Sequence, residues 1–520
     1  MSQISKRKIL ISILSGVMLT ASFPPGKLDW MAWFALVPLL KCLEKESRSN
    51  AFRLGFIAGL AHFLTLIYWV ISVLNTYGGL NIIISLGVLI LLCLYLSLYL
   101  SLFSFLVQYL KGSRFRALMI AGVWVSIEYI RAKLLTGFPW CLLGYSQFRY
   151  PILIQIVDTV GVYGLSFLII AVNAVIYQLL FNNGLIEKKR YSRSEILLVM
   201  VMIIITIAYG NYRLSEYNSE RKEKKTIAVA IIQGNMDQSV KWDPAYQKET
   251  MDKYQRLTHA AYRFKPDLIV WPETAVPFFF QDNTEFTGEV YRIPRESGTQ
   301  LIFGSPAYMK GNGPARYYNR AYLLSSQGVI GHYDKVHLVP FGEYVPLKKF
   351  LPFVHRLVPA AGDFNSGEEI EPLKLPDLPV GVLICYEAIF PELSRAHVKK
   401  GAEILVNLTN DAWFGITSAP YQHLIMSLFR AVENRRPLIR AANTGFSAFI
   451  DPSGRIIARG DLFNEEVLIA EIKAGNNVLT IYSQYGDLFA CIILIICLIK
   501  FFHELCYHLF KVKKFDRRRG

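Results

Sequence analysis

The chain has 520 residues, of which 53% are hydrophobic and only 18% are charged, and its formal net charge is +16. A soluble protein usually carries about 25% charged residues, so this composition argues against a wholly soluble chain. The positive charge does not indicate nucleic-acid binding, because the Lys and Arg residues are grouped in the gaps between hydrophobic segments.

Hydrophobic segments occupy most of the first 212 residues and recur near the carboxyl end. A helix needs about 20 apolar residues to cross a bilayer, and the segments approach or exceed that length. They are residues 9–23, 29–44, 52–75, 81–110, 115–135, 161–182, 194–212 and 483–505. We therefore expect a polytopic α-helical membrane domain of about eight spans. The first two segments are short, so a hairpin is an alternative for them.

The basic residues predict the orientation of these spans. They accumulate before the first segment, in the second, fourth and sixth gaps, and in the tail, for example at Lys6, Lys111, Lys188 and Lys511. Because basic loops stay on the cytoplasmic side, both termini are predicted to be cytoplasmic. The long seventh gap is then periplasmic, on a bacterial inner membrane. The first segment also has features of a cleavable signal peptide, but we favour its retention because further hydrophobic segments follow directly.

The predicted domains follow these changes in composition. They are membrane helices one to seven over 1–212, a charged linker over 213–225, a periplasmic catalytic domain over 226–480, and a last membrane helix with a basic tail over 481–520. Within 226–480, strand candidates are Thr226–Gln233, DLIVWPE, QLIFGSP, YYNRAYLLSS, LPVGVLICY, AEILVNLTN, PLIRAAN, GFSAFID and EVLIAEI. Helical patterns intervene at about 245–264, 388–400 and 418–435. This alternation predicts a layered α/β fold.

Cys385 is the only one of the seven cysteines within residues 226–480. It has no disulfide partner there, although disulfides form readily in the periplasm. It ends the strand GVLIC and precedes a helical pattern, whose backbone N–H groups can lower a thiol pKa and bind an oxyanion. We expect a nucleophile, whereas a lone free cysteine is by itself more often a buried filler.

A cysteine nucleophile needs a base and a cation, and two other segments offer them. WPETAVP places Glu273 at a strand end in apolar surroundings, where a carboxylate becomes a competent base. HYDKVHLVPFGEYVP offers Lys335, which could stabilise an oxyanion, and Glu343. The histidines show no metal-ligand spacing and are interpreted as structural: His332, His337 and His423.

The order of WPE, YDKVHLVPFGE and ICYE resembles the nitrilase (carbon–nitrogen hydrolase) superfamily. With the hydrophobic segments and with VPFGEYVP, ICYEAIFPE and NDAWFG, the whole chain resembles the bacterial apolipoprotein N-acyltransferase family. The resemblance implies an α-β-β-α sandwich standing on the membrane bundle. It also implies a catalytic triad in which Glu273 is the general base and acid, Lys335 stabilises the oxyanion, and Cys385 is acylated.

The resemblance further implies supporting roles around the triad. Glu343 would orient Lys335 and shuttle protons, and Tyr386 and Glu387 would shape the acyl site, although Glu387 could instead simply hold its loop. Trp242 and Trp413 could line a groove for the acyl chain, while packing is the more common role of tryptophan.

The implied reaction has two steps. The sn-1 acyl chain of a phospholipid would pass to Cys385 as a thioester, and the α-amine of a diacylglyceryl-cysteine at the start of an apolipoprotein would then accept it. The expected partners are these two lipid substrates and the bilayer, with no nucleic acid, metal or cofactor, and a monomer suffices.

Other functions predict different features. A membrane-tethered nitrilase-type amidase would use the same triad with water as the acceptor. A transporter or channel would need ionisable residues along the bundle interior, and the spans contain few. For an interaction scaffold, replacement of Cys385 would have no effect.

Overall fold

The computed structural model describes residues 4–110, 113, 115–181, 193–220, 225–282, 284–311, 313–345, 364–376, 378–475 and 478–516. Its contacts divide the chain into two compact units. A helical unit comprises Met1–Tyr68, Val88–Asn211 and Tyr485–Gly520, and an α/β unit comprises Trp69–Gly87 and Tyr212–Gln484. The sequence analysis did not assign residues 69–87 to the α/β part of the chain.

The described chain is helical as far as residue 220. Its α-helices are α1 Lys6–Ala21, α2 Val37–Cys42, α3 Arg48–Leu66, α4 Val70–Ser72, α5 Ile82–Val107, α6 Arg116–Lys133, α7 Pro151–Ile154, α8 Val157–Phe181 and α9 Arg193–Glu220. Two further helices close the chain, α14 Ile481–Tyr485 and α15 Leu488–Asp516.

Three of the described helical stretches are long and apolar enough to cross a membrane: Ile82–Leu110, Val157–Phe181 and Arg193–Ser219. A fourth candidate is the broken pair Arg48–Leu66 and Val70–Tyr77. A helical region with three or four apolar candidate spans therefore agrees with the sequence analysis. The count of eight stays a prediction.

The predicted span over residues 29–44 is wrong as a single helix. The structure has a short 3₁₀-helix at Asp29–Trp33 and a separate α2. The side chain of Asn173 stabilises this break, because its Oδ1 accepts from Leu36 N at 2.9 Å and its Nδ2 donates to Ala32 O at 2.8 Å. These bonds satisfy two backbone groups that a continuous helix would have paired internally.

The α/β unit contains two six-stranded sheets, with strand orders β12-β1-β2-β3-β4-β5 and β11-β10-β9-β8-β7-β6. The strands are β1 Thr226–Gln233, β2 Leu268–Val270, β3 Gln300–Met309, β4 Arg316–Ser325, β5 Gly328–Asp334, β6 Leu373–Leu375, β7 Leu378–Ile384, β8 Ile404–Thr409, β9 Leu438–Ala442, β10 Ala448–Ile450, β11 Ile456–Arg459 and β12 Glu466–Lys473. The central pairs β1–β2, β2–β3, β7–β8 and β8–β9 are parallel, and the remaining pairs are antiparallel.

Alternating side chains place the two sheets face to face. In β1, Val229 and Ile231 join a core that also contains Val382 and Val406 of the second sheet. The alternate residues of β1, such as Ala230, face away from the second sheet and pack against two helices. The helices of the unit are α10 Gln247–Tyr262, α11 Glu285–Ser297, α12 Pro391–Lys399 and α13 Ala419–Asn434. The layers confirm the predicted α/β sandwich.

Among the described α-helices and strands within residues 226–480, four were not predicted from the sequence. They are α11, β5, β6 and β11. The three strands lie at or beside the outer ends of the sheets, where one side of a strand has no partner. The side chains of β5 and β11 are largely exposed or partly exposed and lack the apolar alternation that predicts a strand, whereas β6 alternates but has only three residues.

Candidate active site

Cys385 directly follows β7 and has a backbone φ of +51°. Positive φ is uncommon for residues other than glycine and is maintained only when neighbouring contacts hold it. Two side chains contact the Cys385 carbonyl oxygen here: Asn407 Nδ2 donates to it at 3.4 Å, and His423 Nε2 lies 3.2 Å from it. The nucleophile therefore lies on a sharp turn at a strand end that the second sheet supports.

The Cys385 thiol is protonated at rest. Burial and the neighbouring Glu273 carboxylate together raise its pKa to about 12, although Lys335 partly opposes this effect. Lys335 lowers this pKa, but burial and the Glu273 carboxylate outweigh its effect. The thiol consequently needs a base at the moment of attack.

Glu273 and Lys335 come from the first sheet and lie beside each other. Glu273 is the third residue after β2, and Lys335 directly follows β5. Lys335 Nζ is 3.6 Å from Glu273 Oε1 and only 1% of the residue is exposed. Asn319 of β4 donates from Nδ2 to the same Glu273 oxygen at 2.8 Å. The predicted base and the predicted cation are thus held together in one buried cluster.

Glu343 completes this cluster. Its Oε1 accepts from Lys335 Nζ at 2.9 Å and from Asn319 Nδ2 at 2.9 Å, and its Oε2 accepts from Val339 N at 2.8 Å. Burial alone would lower the pKa of Lys335, but the carboxylates of Glu343 and Glu273 outweigh it and raise that pKa. Lys335 therefore stays an ammonium ion at every physiological pH.

Glu387 is buried and connects the two loops that carry Lys335 and Cys385. Its carboxylate accepts from Ile384 N at 2.7 Å on one side, and from Val336 N at 2.7 Å and His337 N at 3.0 Å on the other. Burial raises the pKa of Glu387 to about 7. These contacts favour the interpretation that Glu387 holds its loop.

The remaining predicted site residues are the aromatic residues Tyr386, Trp242 and Trp413. Tyr386 has its ring 5.1 Å from that of Phe390. Trp242 is 46% exposed, and Trp413 is partly buried with its ring 5.5 Å from that of Tyr77. Trp413 thus contacts the segment 69–87, which belongs to the same unit. Their proposed contact with an acyl chain stays a prediction.

Two family models match the chain. One describes the apolipoprotein N-acyltransferase N-terminal domain and covers residues 15–175, and the other describes carbon-nitrogen hydrolases and covers residues 228–480. An apolipoprotein N-acyltransferase of Geobacter metallireducens is 47% identical, over 94% of this chain and 93% of the relative. The chain belongs to the apolipoprotein N-acyltransferase family. A second member, from Pasteurella multocida, is 32% identical over 93% of each chain.

Membership of the apolipoprotein N-acyltransferase family makes the chain an acyltransferase and favours this activity over the amidase alternative. Among solved structures, an amidase from Nesterenkonia sp. is 21% identical, with a TM-score of 0.37 over 50% of this chain and 94% of that one. A carbon-nitrogen hydrolase from Helicobacter pylori is 19% identical, with a TM-score of 0.37 over 48% of this chain and 89% of that one.

The sequence analysis missed a buried network beneath Cys385. Arg440 donates to Asp411 Oδ2 at 2.7 Å, to His423 Nδ1 at 3.0 Å and to Asn407. Burial and Arg440 lower the pKa of His423. Nδ1 of this ring also lies 2.9 Å from Asp411 Oδ1, and its Nε2 lies 3.2 Å from the Cys385 carbonyl oxygen. Arg440 thus contacts both side chains that lie next to the Cys385 carbonyl, Asn407 and His423.

Asn319 and Lys241 were also missed on the side of the base. Asn319 bridges the two carboxylates, and Lys241 Nζ donates to the backbone oxygen of Glu273 at 3.1 Å. Both residues are buried. A buried lysine beside an exposed Trp242 has no local sequence signal, but Asn319 was detectable as a polar residue inside an otherwise apolar strand.

Proposed function

We propose that Cys385 is the acylated nucleophile of this N-acyltransferase, Glu273 its general base and acid, and Lys335 the cation that stabilises the oxyanion. The observation that carries the proposal is the contrast between a protonated thiol and its ionised neighbours. The pKa of Cys385 is raised to about 12, and Glu273 is the nearby carboxylate that contributes to that shift. Such a pair transfers a proton only when the thiol attacks.

In the first step, Cys385 Sγ attacks the sn-1 ester carbon of a phospholipid and Glu273 takes the thiol proton. The carbonyl oxygen becomes an oxyanion beside the ammonium of Lys335, which lies in a buried site where such a charge interacts strongly. When the tetrahedral intermediate collapses, Glu273 returns the proton to the glycerol oxygen. A lysophospholipid leaves, and the thioester remains on Cys385.

In the second step, the neutral α-amine of an apolipoprotein's diacylglyceryl-cysteine attacks the thioester. Glu273 takes a proton from the amine, and it passes this proton to the sulfur as the C–S bond breaks. The products are an N-acylated, triacylated lipoprotein and the free thiol. Glu343 supports both steps through its bond to Lys335, while Tyr386 and Glu387 support the acyl site and its loops.

The acceptor distinguishes this function from an amidase that uses water. A thioester that waits for a protein-bound amine must be shielded from hydrolysis. The partly exposed Trp242 and Trp413 are suitable residues for covering an acyl chain. A bilayer location would concentrate both lipid substrates, which agrees with a catalytic domain on the periplasmic side of the bacterial inner membrane and both termini in the cytoplasm.

Intact mass spectrometry of the full chain, incubated with phosphatidylethanolamine vesicles, tests the acyl-enzyme. We expect a fatty-acyl mass gain that hydroxylamine removes. Cys385→Ser should lose the hydroxylamine-sensitive adduct, because an oxygen ester resists hydroxylamine better than a thioester. Cys506→Ser, which removes another free thiol, is the matched control and should acylate normally.

A second stage of the same assay identifies the acceptor. Addition of a diacylglyceryl-cysteine peptide should move the acyl group to the peptide amine. Release as free fatty acid, with no transfer to the peptide, would contradict the acyltransferase assignment. Absence of any adduct on the wild-type chain, with lipid bound, would contradict the proposed nucleophile.

A further inference from the structure

Lys241 is a second buried lysine next to the catalytic carboxylate. Only 1% of the residue is exposed, and Nζ donates to the backbone oxygen of Glu273 at 3.1 Å. This oxygen is its only hydrogen-bond acceptor within the residues that the structure describes. Burying an ammonium ion with one acceptor is costly unless a nearby charge compensates.

The compensating charge is present in the Glu273 cluster. Glu273 and Glu343 are carboxylates, Lys335 is a cation, and Cys385 is a neutral thiol at rest. Without Lys241 this buried group would carry one net negative charge, whereas with Lys241 the charges sum to zero. A buried net charge is unfavourable, so the cluster has a physical need for the second cation.

The backbone contact adds a geometric role. Residue Thr274, which directly follows Glu273, has a φ of +47°, so the chain turns sharply just past the catalytic carboxylate. A conformation of this kind persists only when its surroundings hold it. The bond from Lys241 to the Glu273 carbonyl supplies one such restraint on the base.

We infer that Lys241 is a positioning residue for the acylation step: its ammonium restrains the Glu273 backbone and balances the negative charge of the buried cluster in which Glu273 accepts the Cys385 proton. This inference rests on the proposed function, in which Glu273 is the base. It assigns Lys241 no contact with substrate and no proton transfer.

The charge of Lys241 should make the acylation rate depend on pH. Burial lowers the pKa of Lys241 to about 8, although Glu273 and Cys385 oppose this effect. The other charged groups of the cluster, Lys335 and Glu343, adjoin Glu273. Lys241 is therefore cationic at neutral pH and loses its charge as the pH rises through about 8. Acylation should have an alkaline limb in this range.

The test measures the acylation rate against pH, with phosphatidylethanolamine vesicles as the donor. The acceptor is omitted, because an α-amine also titrates at about pH 8 and would obscure the limb. Lys241→Met should slow acylation about 10- to 100-fold near neutral pH and should move the acid limb up by about one pH unit, since a proton then binds the base more easily.

Two further variants separate charge from hydrogen bonding. Lys241→Gln keeps a donor without the charge and should show the same displaced acid limb as Lys241→Met. Lys241→Arg keeps the charge at all working pH values and should lose the alkaline limb. Lys248→Met, at an exposed position on α10, is the matched control and should match the wild type. Thermal unfolding of each variant identifies any that fail to fold.

The outcomes are decisive. Two results would overturn the inference: wild-type acylation rates in Lys241→Met and Lys241→Gln, or a loss of rate that is equal at every pH. A lysine with a purely structural role would not shift the pH dependence of the rate. If the wild-type chain forms no adduct, the proposed function itself fails. A wild-type adduct with unchanged pH limbs in the variants removes only the role of Lys241.

Discussion

The two sheets of the α/β unit hold their parts of the site by different means. On the sheet that contains β2 and β5, charged side chains face one another directly, as in the 2.9 Å contact between Lys335 and Glu343. On the sheet that contains β7, the charged pair Arg440–Asp411 lies beneath the nucleophile and contacts His423, whose Nε2 is 3.2 Å from the Cys385 carbonyl oxygen. The first sheet supplies the charged groups of the active site, and the second holds the backbone of Cys385 in place.

The difference follows from what each group must do. The base and the oxyanion partner act through charge, so burial among countercharges makes them effective and their contacts change protonation. The thiol acts through its position, so its supports need only be rigid and fully hydrogen-bonded. Substitutions on the first sheet should therefore alter rate and pH dependence, while those on the second should mainly alter stability.

Among substitutions on the two sheets, Glu273→Gln should cause the largest loss of acylation rate. The amide can still accept the bond from Asn319 Nδ2 but cannot take the thiol proton. We expect acylation to fall by about 10²- to 10⁴-fold, the usual range for loss of a general base. Pre-steady-state mass spectrometry measures the rate, and Glu285→Gln, at an exposed position on helix α11, is the control. A loss smaller than about 10-fold would remove Glu273 as the base.

Asp411→Asn should affect stability more than chemistry. It leaves the buried charge of Arg440 without its carboxylate, which typically costs about 3 kcal/mol or more. The midpoint of thermal unfolding should fall, while folded protein acylates only about 10-fold more slowly because Glu273 and Lys335 are untouched. Asp461→Asn, at an exposed site, is the control. An unchanged midpoint would mean that the pair does not stabilise the nucleophile's sheet.

The pH dependence of folding stability gives a second test of the Arg440–Asp411 ion pair. Burial alone would raise the pKa of Asp411, but Arg440 outweighs it and lowers that pKa below the ordinary value. The carboxylate therefore contributes full stability above the unfolded pKa of about 3.9, and this contribution is lost as the pH falls. Wild type and Asp411→Asn should converge in stability at acidic pH. A constant difference down to that range would contradict the ion pair.

Trp242→Ala should have the smallest effect, because Trp242 belongs to neither sheet and is 46% exposed. If its indole covers the donor's acyl chain, the KM for phospholipid should rise about 3- to 10-fold with little change in kcat, as loss of uniform binding predicts. Tyr246→Ala, a nearby exposed aromatic position, is the control. An equal fall of kcat in the two variants would argue for a general packing defect.

The inner strands and the candidate site residues could be predicted from the sequence because each has a local sequence pattern. Apolar alternation located the inner strands such as Val229–Ile231, whose residues face two different layers. The motifs around Glu273, Lys335 and Cys385 indicated chemistry, since Glu273 and Cys385 each end an apolar run and Lys335 lies close to Glu343 in sequence. The outer strands β5 and β11 were missed because their largely exposed or partly exposed side chains carry no such pattern, and β6 was missed because it has only three residues.

The sequence by itself determined the family, the α/β class of the catalytic part and the three residues proposed for the reaction. Tertiary structure decided how those residues are charged and held. The thiol of Cys385 is protonated because burial outweighs its cationic neighbour, and that balance depends on groups from both sheets. Lys241 and Arg440 gain their roles in the same way, since only folding brings these distant charges within hydrogen-bond range of Glu273 and Asp411.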